Sequence, residues 1–248
     1  VVTVMEVGPT MLFGYNGFTT SVQQPVMPLV QANNYGYTSG VQIQNTGTTS
    51  TQVTVTYTPS LAGTACTETK TIAGGASETF ALNAWASNDP NPSQNTCVNG
   101  QQFVGAAKVT ANSASQGLVA IVNQHNFSQN KGAAYGSFNP DAGSAIVVMP
   151  LIMDRNYGYS TGFNVMNAGA NPATVSCTFV NSSVTIPPTV LQPGQALTHV
   201  QGGAIANGYV GAATCTATGT NPKIIGVVNE LYSSGTSDTF LVYEAFNN

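Results

Sequence analysis

Charged side chains are the scarcest component of this sequence. Asp, Glu, Lys and Arg make up 6% of its 248 residues, whereas they make up about 25% of a typical soluble domain. Hydrophobic residues still reach 42%, and because disordered chains combine low hydrophobicity with high net charge, we expect a folded protein. The net charge is −4 and the five basic residues form no cluster, which argues against nucleic acid and anionic membranes as partners. So little charge also offers little repulsion between copies, which favours self-association.

Helical periodicity and long apolar runs are missing as well. No stretch of 12 residues shows a convincing 3.6-residue period, and no run approaches the ~18 apolar residues that suggest a membrane-spanning helix. The abundant Thr, Ser, Asn, Gln and Gly instead favour strands, turns and loops. We therefore expect an all-β protein with no membrane span. Because position 1 is Val and no signal peptide precedes it, we also expect a chain processed or excised from a longer one.

Residues of the kinds that carry catalysis are few and scattered. His125 and His199 stand in non-equivalent positions, and the sequence holds no nucleophile elbow, phosphate-binding loop, dinucleotide fingerprint or zinc-protease motif. A glycosidase pair drawn from distant segments stays open, but we expect a protein that is not an enzyme and uses no cofactor or metal. The carboxylates lie singly along the chain, at Glu6, Glu68, Glu78, Asp89, Asp141, Asp154, Glu230, Asp238 and Glu244.

One stretch of the chain occurs twice. Residues 26–40, which begin Val-Met-Pro-Leu, return as residues 148–162, 122 positions later, and 11 of 22 aligned positions from 26 to 47 are identical. A period of this size indicates a duplicated domain, since short solenoid repeats run to about 20–50 residues. We therefore expect an N-terminal hairpin over 1–20, a first repeat over 21–140 with a cysteine-bridged insertion at 58–102, and a second repeat over 141–248.

Each repeat has the pattern of an antiparallel sandwich. Gly40–Asn45 and Gln52–Tyr57 alternate apolar and polar residues, as half-buried strands do, with a turn between them. About seven such short strands per ~100 residues, separated by turn signals, are typical of the immunoglobulin type. The predicted fold is therefore all-β: two tandem immunoglobulin-like antiparallel β-sandwich domains with an extra N-terminal β-hairpin.

The same two strands carry a family resemblance. A strand of the form V-x-I/V-x-N-x-G and a following Thr/Val-alternating strand occupy residues 40–57, and their second copy occupies 162–179. In this the chain resembles tandem immunoglobulin-like repeats of prokaryotic secreted and cell-surface proteins. The resemblance implies a sandwich fold and an extracellular or cell-surface location. It also implies a role as a stalk, adhesin, filament or sheath subunit, and it brings no catalytic residues.

Four cysteines, an even number, fit an oxidising compartment. Aligning the repeats places Val55 opposite Cys177 and Val109 opposite Cys215, all on the inward side of their strands. An inward cysteine on an early strand and another on a late strand suit a bond between the two sheets. Four unpaired core thiols are the alternative, and zinc is disfavoured because no C-x-x-C is present. We predict two disulfides, Cys66–Cys97 and Cys177–Cys215.

Several features allow both a functional and a structural interpretation. The loop 89–95 offers oxygen ligands for Ca²⁺ but lacks the spacing of an EF-hand, which favours an ordinary polar loop. Asp154 and Arg155 could clamp a ligand or form a surface charge pair, and the surface pair is favoured. Asn126-Phe-Ser and Asn181-Ser-Ser are candidate glycosylation sites in predicted turns. Four turn tyrosines could stack on sugar rings, although a packed turn is favoured: Tyr35, Tyr37, Tyr157 and Tyr159.

Three hairpins but only two sandwich bodies can be counted. The hairpins cover 1–18, 121–139 and 227–247, and each ends in an aromatic-x-x-Phe step. Whether a hairpin completes the body before it or after it stays open, so the spare hairpin is either the first or the last. A lone hairpin is marginal in water, and the spare one would expose Val2, Val4, Leu12, Phe13 and Phe18, or else Leu241, Tyr243 and Phe246.

These observations lead to a hypothesis of assembly. A spare hairpin that inserts at the sheet edge of another chain would bury its apolar side chains and complete an open ladder. We therefore expect a structural extracellular subunit that forms a head-to-tail filament, pilus-like fibre or sheath by strand complementation. The alternative is a cell-surface adhesin or carbohydrate-binding stalk module that recognises surface glycans. The rival account of the spare hairpin is that the chain is a segment of a longer array.

Overall fold

The computed structural model describes residues 2–82, 95–113, 115–232 and 235–248, and these are nearly all in strands and turns. The polar loop expected at 89–95 lies outside the described residues except for Asn95, and so does Trp85. The N-terminal hairpin consists of β1 (Thr3–Val7) and β2 (Leu12–Asn16), which form a sheet of their own. Within the described residues, no helix has the length and apolar character needed to cross a membrane.

The first body holds eight described strands: β3 (Val26–Ala32), β4 (Thr38–Asn45), β5 (Thr51–Ala62), β6 (Cys66–Ile72), β7 (Ser77–Phe80), β8 (Phe103–Ala111), β9 (Leu118–Asn126) and β10 (Lys131–Gly136). Short 3₁₀ turns cover Phe127–Gln129 and Pro140–Ala142. The second body holds nine described strands: β11 (Ile146–Asp154), β12 (Tyr159–Asn167), β13 (Ala173–Phe179), β14 (Thr185–Leu191), β15 (Ala196–Val200), β16 (Tyr209–Gly219), β17 (Ile224–Tyr232), β18 (Phe240–Glu244) and β19 (Phe246–Asn247).

Each body is a sandwich of two antiparallel sheets. The strand orders are β3-β8-β5-β6 and β10-β9-β4-β7 in the first body, and β14-β13-β16-β11-β19 and β15-β12-β17-β18 in the second. The two bodies correspond strand for strand, and only the short β19 has no full counterpart. The all-β, antiparallel sandwich predicted from the alternating sequence is therefore confirmed.

The centre of each body follows the immunoglobulin pattern, but its margins do not. In strand order, the pairings of β4 with β7 and of β5 with β8 match the B–E and C–F pairings of that fold. The first strand, however, pairs with β8 across the sandwich from its expected place, and the hairpin of β9 and β10 takes the place next to β4. The first and last elements have therefore exchanged sheets relative to an immunoglobulin domain.

The stretch expected to be an insertion is largely part of the sandwich. Residues 58–82 contain the end of β5 and all of β6 and β7, and the second body has the equivalent β14 and β15. The sequence gives little sign of these strands because the Thr/Glu/Lys alternation of β6 carries few apolar residues. What sets this part of the first body apart is a disulfide of its own, between Cys66 of β6 and Cys97.

The second disulfide joins the predicted cysteines in an unpredicted place. Cys177 and Cys215 are bonded, and they are direct partners on the neighbouring strands β13 and β16, with a Cα–Cα distance of 4.0 Å. Val55 and Val109 are partners in the same way on β5 and β8. The expectation of a bond between sheets is therefore wrong. Alternation tells which face a residue points to, but it does not tell whether two inward residues share a sheet.

The two bodies pack against each other through an apolar cluster. Val26 and Ala106 of the first body lie with Met166, Ala196 and Ile225 of the second, and all five are buried. Burying such side chains stabilises a structure by about 1.5–3 kcal/mol for each of the larger ones. This contact fixes the two bodies relative to each other, and it brings their hairpins side by side.

Candidate assembly interface

The structure decides which body each hairpin completes. The middle hairpin joins the first body, because β9 pairs with every residue of β4. The last hairpin joins the second body in the same way, through β17 and β12. Hairpins therefore complete the bodies that precede them, and the spare one is the N-terminal hairpin of β1 and β2.

A tyrosine holds each completing hairpin in place. In β3 the register with β8 shifts between Met27 and Val30, so Pro28 and Leu29 bulge out of the ladder. The hydroxyl of Tyr135 accepts a hydrogen bond from Leu29 N at 3.2 Å and donates one to Leu29 O. It thereby satisfies both backbone groups that the bulge removed from the sheet. Burial raises the pKa of Tyr135, so its hydroxyl keeps the proton that it donates.

The second body repeats this lock atom for atom. The register of β11 and β16 shifts between Met149 and Ile152, and the Tyr243 hydroxyl accepts from Leu151 N at 3.3 Å and donates to Leu151 O. Three residues after each tyrosine, a phenylalanine pairs by its backbone with the start of the first strand: Phe138 with Val26, and Phe246 with Val148. The Met-Pro-Leu repeat and the aromatic-x-x-Phe repeat of the sequence are thus the two halves of one lock.

The N-terminal hairpin has the tyrosine but not the bulge. Tyr15 is paired with Val4 in β1, just as Tyr135 is paired with Val122 and Tyr243 with Val228. Both bulges of the Met-Pro-Leu kind within the described residues are already occupied by the other two tyrosines. The N-terminal hairpin therefore belongs to the same class of element without completing a body of this chain.

The three hairpins stack through one contact that occurs twice. Asn123 of the middle hairpin donates to Glu6 of the N-terminal one at 3.3 Å. The aligned pair between the middle and the last hairpin consists of Gln124 and Asn229, whose side-chain amides exchange two hydrogen bonds of 3.2 and 3.0 Å. Glu6 aligns with Gln124, and Asn123 aligns with Asn229, when the strand partners of the three tyrosines, Val4, Val122 and Val228, are superposed. The relation of the first hairpin to the second is therefore repeated between the second and the third.

Apolar contacts follow the same repetition. A Cβ at Gly132 would lie 2.6 Å from the ring of Phe13, so the phenylalanine rests directly on that glycine. At the aligned positions, Ala133 packs with Phe240 in a buried cluster. In the first contact the earlier hairpin supplies the large residue, Phe13, and in the second contact the later hairpin supplies it, Phe240. The space between the hairpins is filled in both cases.

A carboxylate clamps the N-terminal hairpin to its neighbour. Asp238 accepts from Leu12 N at 2.8 Å and from Gly132 N at 3.0 Å, and so bridges two hairpins from a third. Thr10 adds a hydrogen bond of 3.0 Å to Asn130. Edge amides that would otherwise be open for pairing are thereby capped.

The residues predicted to mediate assembly divide into two groups. Phe13 and Tyr243 are engaged within the chain, on Gly132 and on Leu151, and Val4 is half-buried. The others are exposed: Val2, Leu12 and Phe18 on the N-terminal hairpin, and Leu241 and Phe246 on the last hairpin. Sequence reasoning missed Met5 and Val7, which are also exposed on the N-terminal hairpin and whose signal was their alternation with Val4 and Glu6.

The tyrosine turns are only half packed. Tyr37 meets the ring of Phe240 edge-on at 5.4 Å, and Tyr159 lies 5.3 Å from the ring of Tyr232. Tyr35 and Tyr157, in contrast, are 87% and 91% exposed. Each is the first residue of a two-residue turn and has a left-handed φ, 49° and 48°. Turns of this type prefer Asn, Asp or Gly there, and a bulky residue costs about 1–2 kcal/mol.

A cleft of about 360 Å³ lies beside Tyr35, between the two bodies. Its floor is apolar, with Leu29 and Val104 from the first body and Phe163 and Leu231 from the second. The lining within the described residues carries amides, hydroxyls and one imidazole but no charged group. Such a surface suits a neutral ligand.

Only one of the two candidate glycosylation sites is accessible. Asn181 is exposed in the turn after β13. Asn126 is fully buried, and its amide nitrogen donates to Tyr35 O at 3.2 Å while its oxygen accepts from Ser128 and Gln129 N. The expectation of an accessible glycan at Asn126 is therefore wrong, because the side chain caps the turn from beneath.

Asp154 is not the surface charge that was expected. It is buried and accepts hydrogen bonds from Gly203 N at 3.0 Å, Ile205 N at 2.9 Å and Arg155 Nε at 2.9 Å. Burial alone would raise its pKa, but these donors hold the pKa below its ordinary value. The pair fixes the loop after β15 rather than a ligand. Among the described residues, no three His, Cys, Asp or Glu side chains come together as a metal site requires.

Comparison with protein-family models and with curated proteins finds no match for this chain. Its function must therefore be argued from the hairpin stack and the tyrosine turns themselves.

The lock predicts a strong effect of removing one oxygen atom. We expect Tyr135→Phe to lower the free energy of unfolding by about 2–4 kcal/mol, since it leaves a buried N–H and a buried C=O without partners. Tyr243→Phe should cost less, because Leu151 is more exposed than Leu29 and water can replace the hydroxyl. Denaturant titration of the purified variants measures both. Tyr15→Phe is the matched control and should change nothing, and equal losses in all three variants would contradict the lock.

A buried carboxylate in the second body predicts a dependence of stability on pH. Glu230 accepts from the Thr161 hydroxyl at 2.7 and 2.8 Å, and burial raises its pKa to about 7. Between about 4.5 and 7 the folded chain keeps a proton that the unfolded chain has released. The free energy of unfolding therefore falls as the pH rises through this window, by up to about 3 kcal/mol.

The aligned residue of the first body, Gln124, suggests the test. We expect Glu230→Gln to match the intact protein in stability at pH 4 and to exceed it at pH 8, as measured by denaturant titration at both values. Glu78→Gln, which removes an exposed carboxylate on β7, should keep the full difference between the two pH values. The same difference in Glu230→Gln as in the intact protein would show that Glu230 does not cause it.

Proposed function

We propose that this protein is a structural subunit of an extracellular assembly, a filament, pilus-like fibre or sheath, whose molecules join head to tail. The observation that carries the proposal is the hairpin contact that occurs twice inside the chain. The same contact can join two molecules if one of its surfaces is accessible on the first hairpin and the other is accessible on the second body.

Both halves are accessible. Within the chain, Tyr37 and Ala133 of the first body pack with Leu231 and Phe240 of the second. The positions aligned with Leu231 and Phe240 on the N-terminal hairpin are Val7 and Leu12, which are 77% and 45% exposed. The positions aligned with Tyr37 and Ala133 on the second body are the following: Tyr159, which is half-buried, and Leu241, which is 57% exposed.

The chemistry of these surfaces suits repeated association. They are apolar, and exposed apolar patches of this kind mark interaction sites. Because the two halves differ, the contact is heterologous and builds an open filament unless its rotation closes a ring. The low net charge offers little repulsion between copies, and two disulfides fit an oxidising, extracellular compartment.

This contact replaces strand exchange as the means of joining identical chains. Each of the two described bodies already holds its own hairpin through a tyrosine lock, so the same two bodies in a neighbouring molecule have no open place for the N-terminal hairpin. Stacking of hairpins needs no vacancy. It uses the outward face of β1 and β2, which carries Met5 and Val7.

A pair of charged variants tests the contact. We expect Val7→Glu and Leu241→Lys each to abolish assembly on its own, because each places a charge against an apolar surface. Mixed in equal amounts, the two variants should assemble again. In the mixture, the glutamate at position 7 of one variant meets the lysine at position 241 of the other. The next contact along the filament joins an unchanged Val7 to an unchanged Leu241. Sedimentation velocity and negative-stain microscopy of the full-length chains measure the outcome.

Val190→Glu is the control, since Val190 is 59% exposed on β14, in the other sheet of the second body. This variant should assemble like the intact chain. Intact chains that stay monomeric at every concentration, or single variants that assemble undisturbed, would rule out the proposed contact.

The tyrosine turns favour a second candidate, a glycan-binding adhesin or stalk module. Both bodies keep an exposed tyrosine at a position where Asn or Gly would be more stable. Strain that is retained without a packing reason is common at binding sites. Tyr35 also borders the neutral cleft, and an aromatic face beside amides and hydroxyls is suited to a neutral sugar ring.

Substitution at the turns separates stability from binding. We expect Tyr35→Asn and Tyr157→Asn each to raise the free energy of unfolding by up to about 1 kcal/mol, because Asn tolerates the left-handed conformation. Both should lose signal on a glycan array, whereas Tyr35→Phe and Tyr157→Phe keep the ring and should keep the signal. Intact protein that binds no glycan, or Asn variants that bind as well as it does, would argue against the adhesin.

A further inference from the structure

The N-terminal hairpin carries a lock residue that this chain does not use. Its Tyr15 and Phe18 have the spacing of Tyr135 and Phe138, and Val4 stands where Val122 enters the core of the first body. In the first body each of these three positions has a defined role. The tyrosine closes the bulge, the phenylalanine backbone pairs with the first strand, and the valine is buried.

The hairpin also lies where the final hairpin of a body would lie. Its contacts through Glu6 and Phe13 repeat those that the middle hairpin makes through Gln124 and Ala133. In the middle hairpin, the residues two positions from these, Val122 and Tyr135, are buried in the core of the first body. In the N-terminal hairpin the corresponding residues are less covered, since Val4 and Tyr15 are only half-buried and Val2 is 65% exposed. The N-terminal hairpin therefore has the face that completes a body in the other two hairpins, although its two strands pair only with each other.

We propose that residues 2–18 complete a third sandwich body, supplied from outside these 248 residues, that has a bulged Met-Pro-Leu strand and lacks a final hairpin of its own. Tyr15 would bond both backbone groups of its bulge, and Val4 would enter its core. Glu6 aligns with Glu230, so it would meet a hydroxyl on the second strand of that body, as Glu230 meets Thr161. This inference rests on the proposed structural role, but it uses the face of the hairpin opposite to Met5 and Val7.

The partner can be made from the chain's own material. A copy of residues 141–226, which is the second body without its hairpin, joined ahead of Thr3 gives an extended chain that keeps every native residue from Thr3 onward. The junction preserves the register, because Thr3 aligns with Val227. The added body brings its own Met-Pro-Leu strand, its own Thr161 equivalent and its own cysteine pair.

Limited proteolysis of the extended chain reads out whether the added body folds. We expect three protected bodies, and we expect Tyr15→Phe, silent in the native chain, to raise the cleavage rate of the added body about ten-fold or more. Val4→Asp should leave the added body unprotected while the two native bodies stay protected. The added body can also be supplied as a separate polypeptide, which tests association between two chains. We expect the native chain to protect it from cleavage, and we expect this protection to require Tyr15 and Val4.

Two results would overturn the proposal. One is an added body that is cleaved as an unfolded chain in every format. The other is an added body whose protection is the same with Tyr15→Phe and Val4→Asp as without them. Loss of assembly in Val7→Glu bears on the head-to-tail contact alone, so the two proposals fail separately.

Discussion

The structure depends on the satisfaction of two backbone groups at a bulge. Pro28 cannot donate to the ladder, and the bulge at Leu29 removes one N–H and one C=O from it. Buried groups of this kind are costly unless they find partners. The hydroxyl of Tyr135 supplies both partners at once, so the first strand and the final hairpin of a body require each other.

This requirement makes the hairpin a distinct element of the architecture. The lock attaches it to one body, and its remaining surface is left for the hairpin of the next unit, as the Gln124–Asn229 pair illustrates. Because the surface offered differs from the surface received, the arrangement has a direction. A directional contact repeated at constant geometry extends in one dimension, which connects the lock in the core to the proposed filament.

Three of the few carboxylates organise loops and strand ends. Asp154 collects the amides of the loop after β15, Asp238 bridges two hairpins, and Glu68 accepts from Tyr57 and from the amides of Ala81 and Leu82. Each carboxylate thereby satisfies backbone donors that no strand reaches. The surfaces left for contact with other molecules are correspondingly neutral, as in the cleft beside Tyr35.

Periodicity, and comparison of the chain with itself, were enough to predict much of this protein from its amino acids. They indicated strands rather than helices, the duplication at Val26 and Val148, the disulfide pairs, and the three hairpins with their tyrosines. Whatever depends on which strands are neighbours emerged only in the folded chain. There Cys177 and Cys215 share one sheet, the spare hairpin is the N-terminal one, and Asn126 is buried beneath Tyr35. Alternation specifies the face of a strand and not its partner, and pairing is set by packing between residues far apart in the chain.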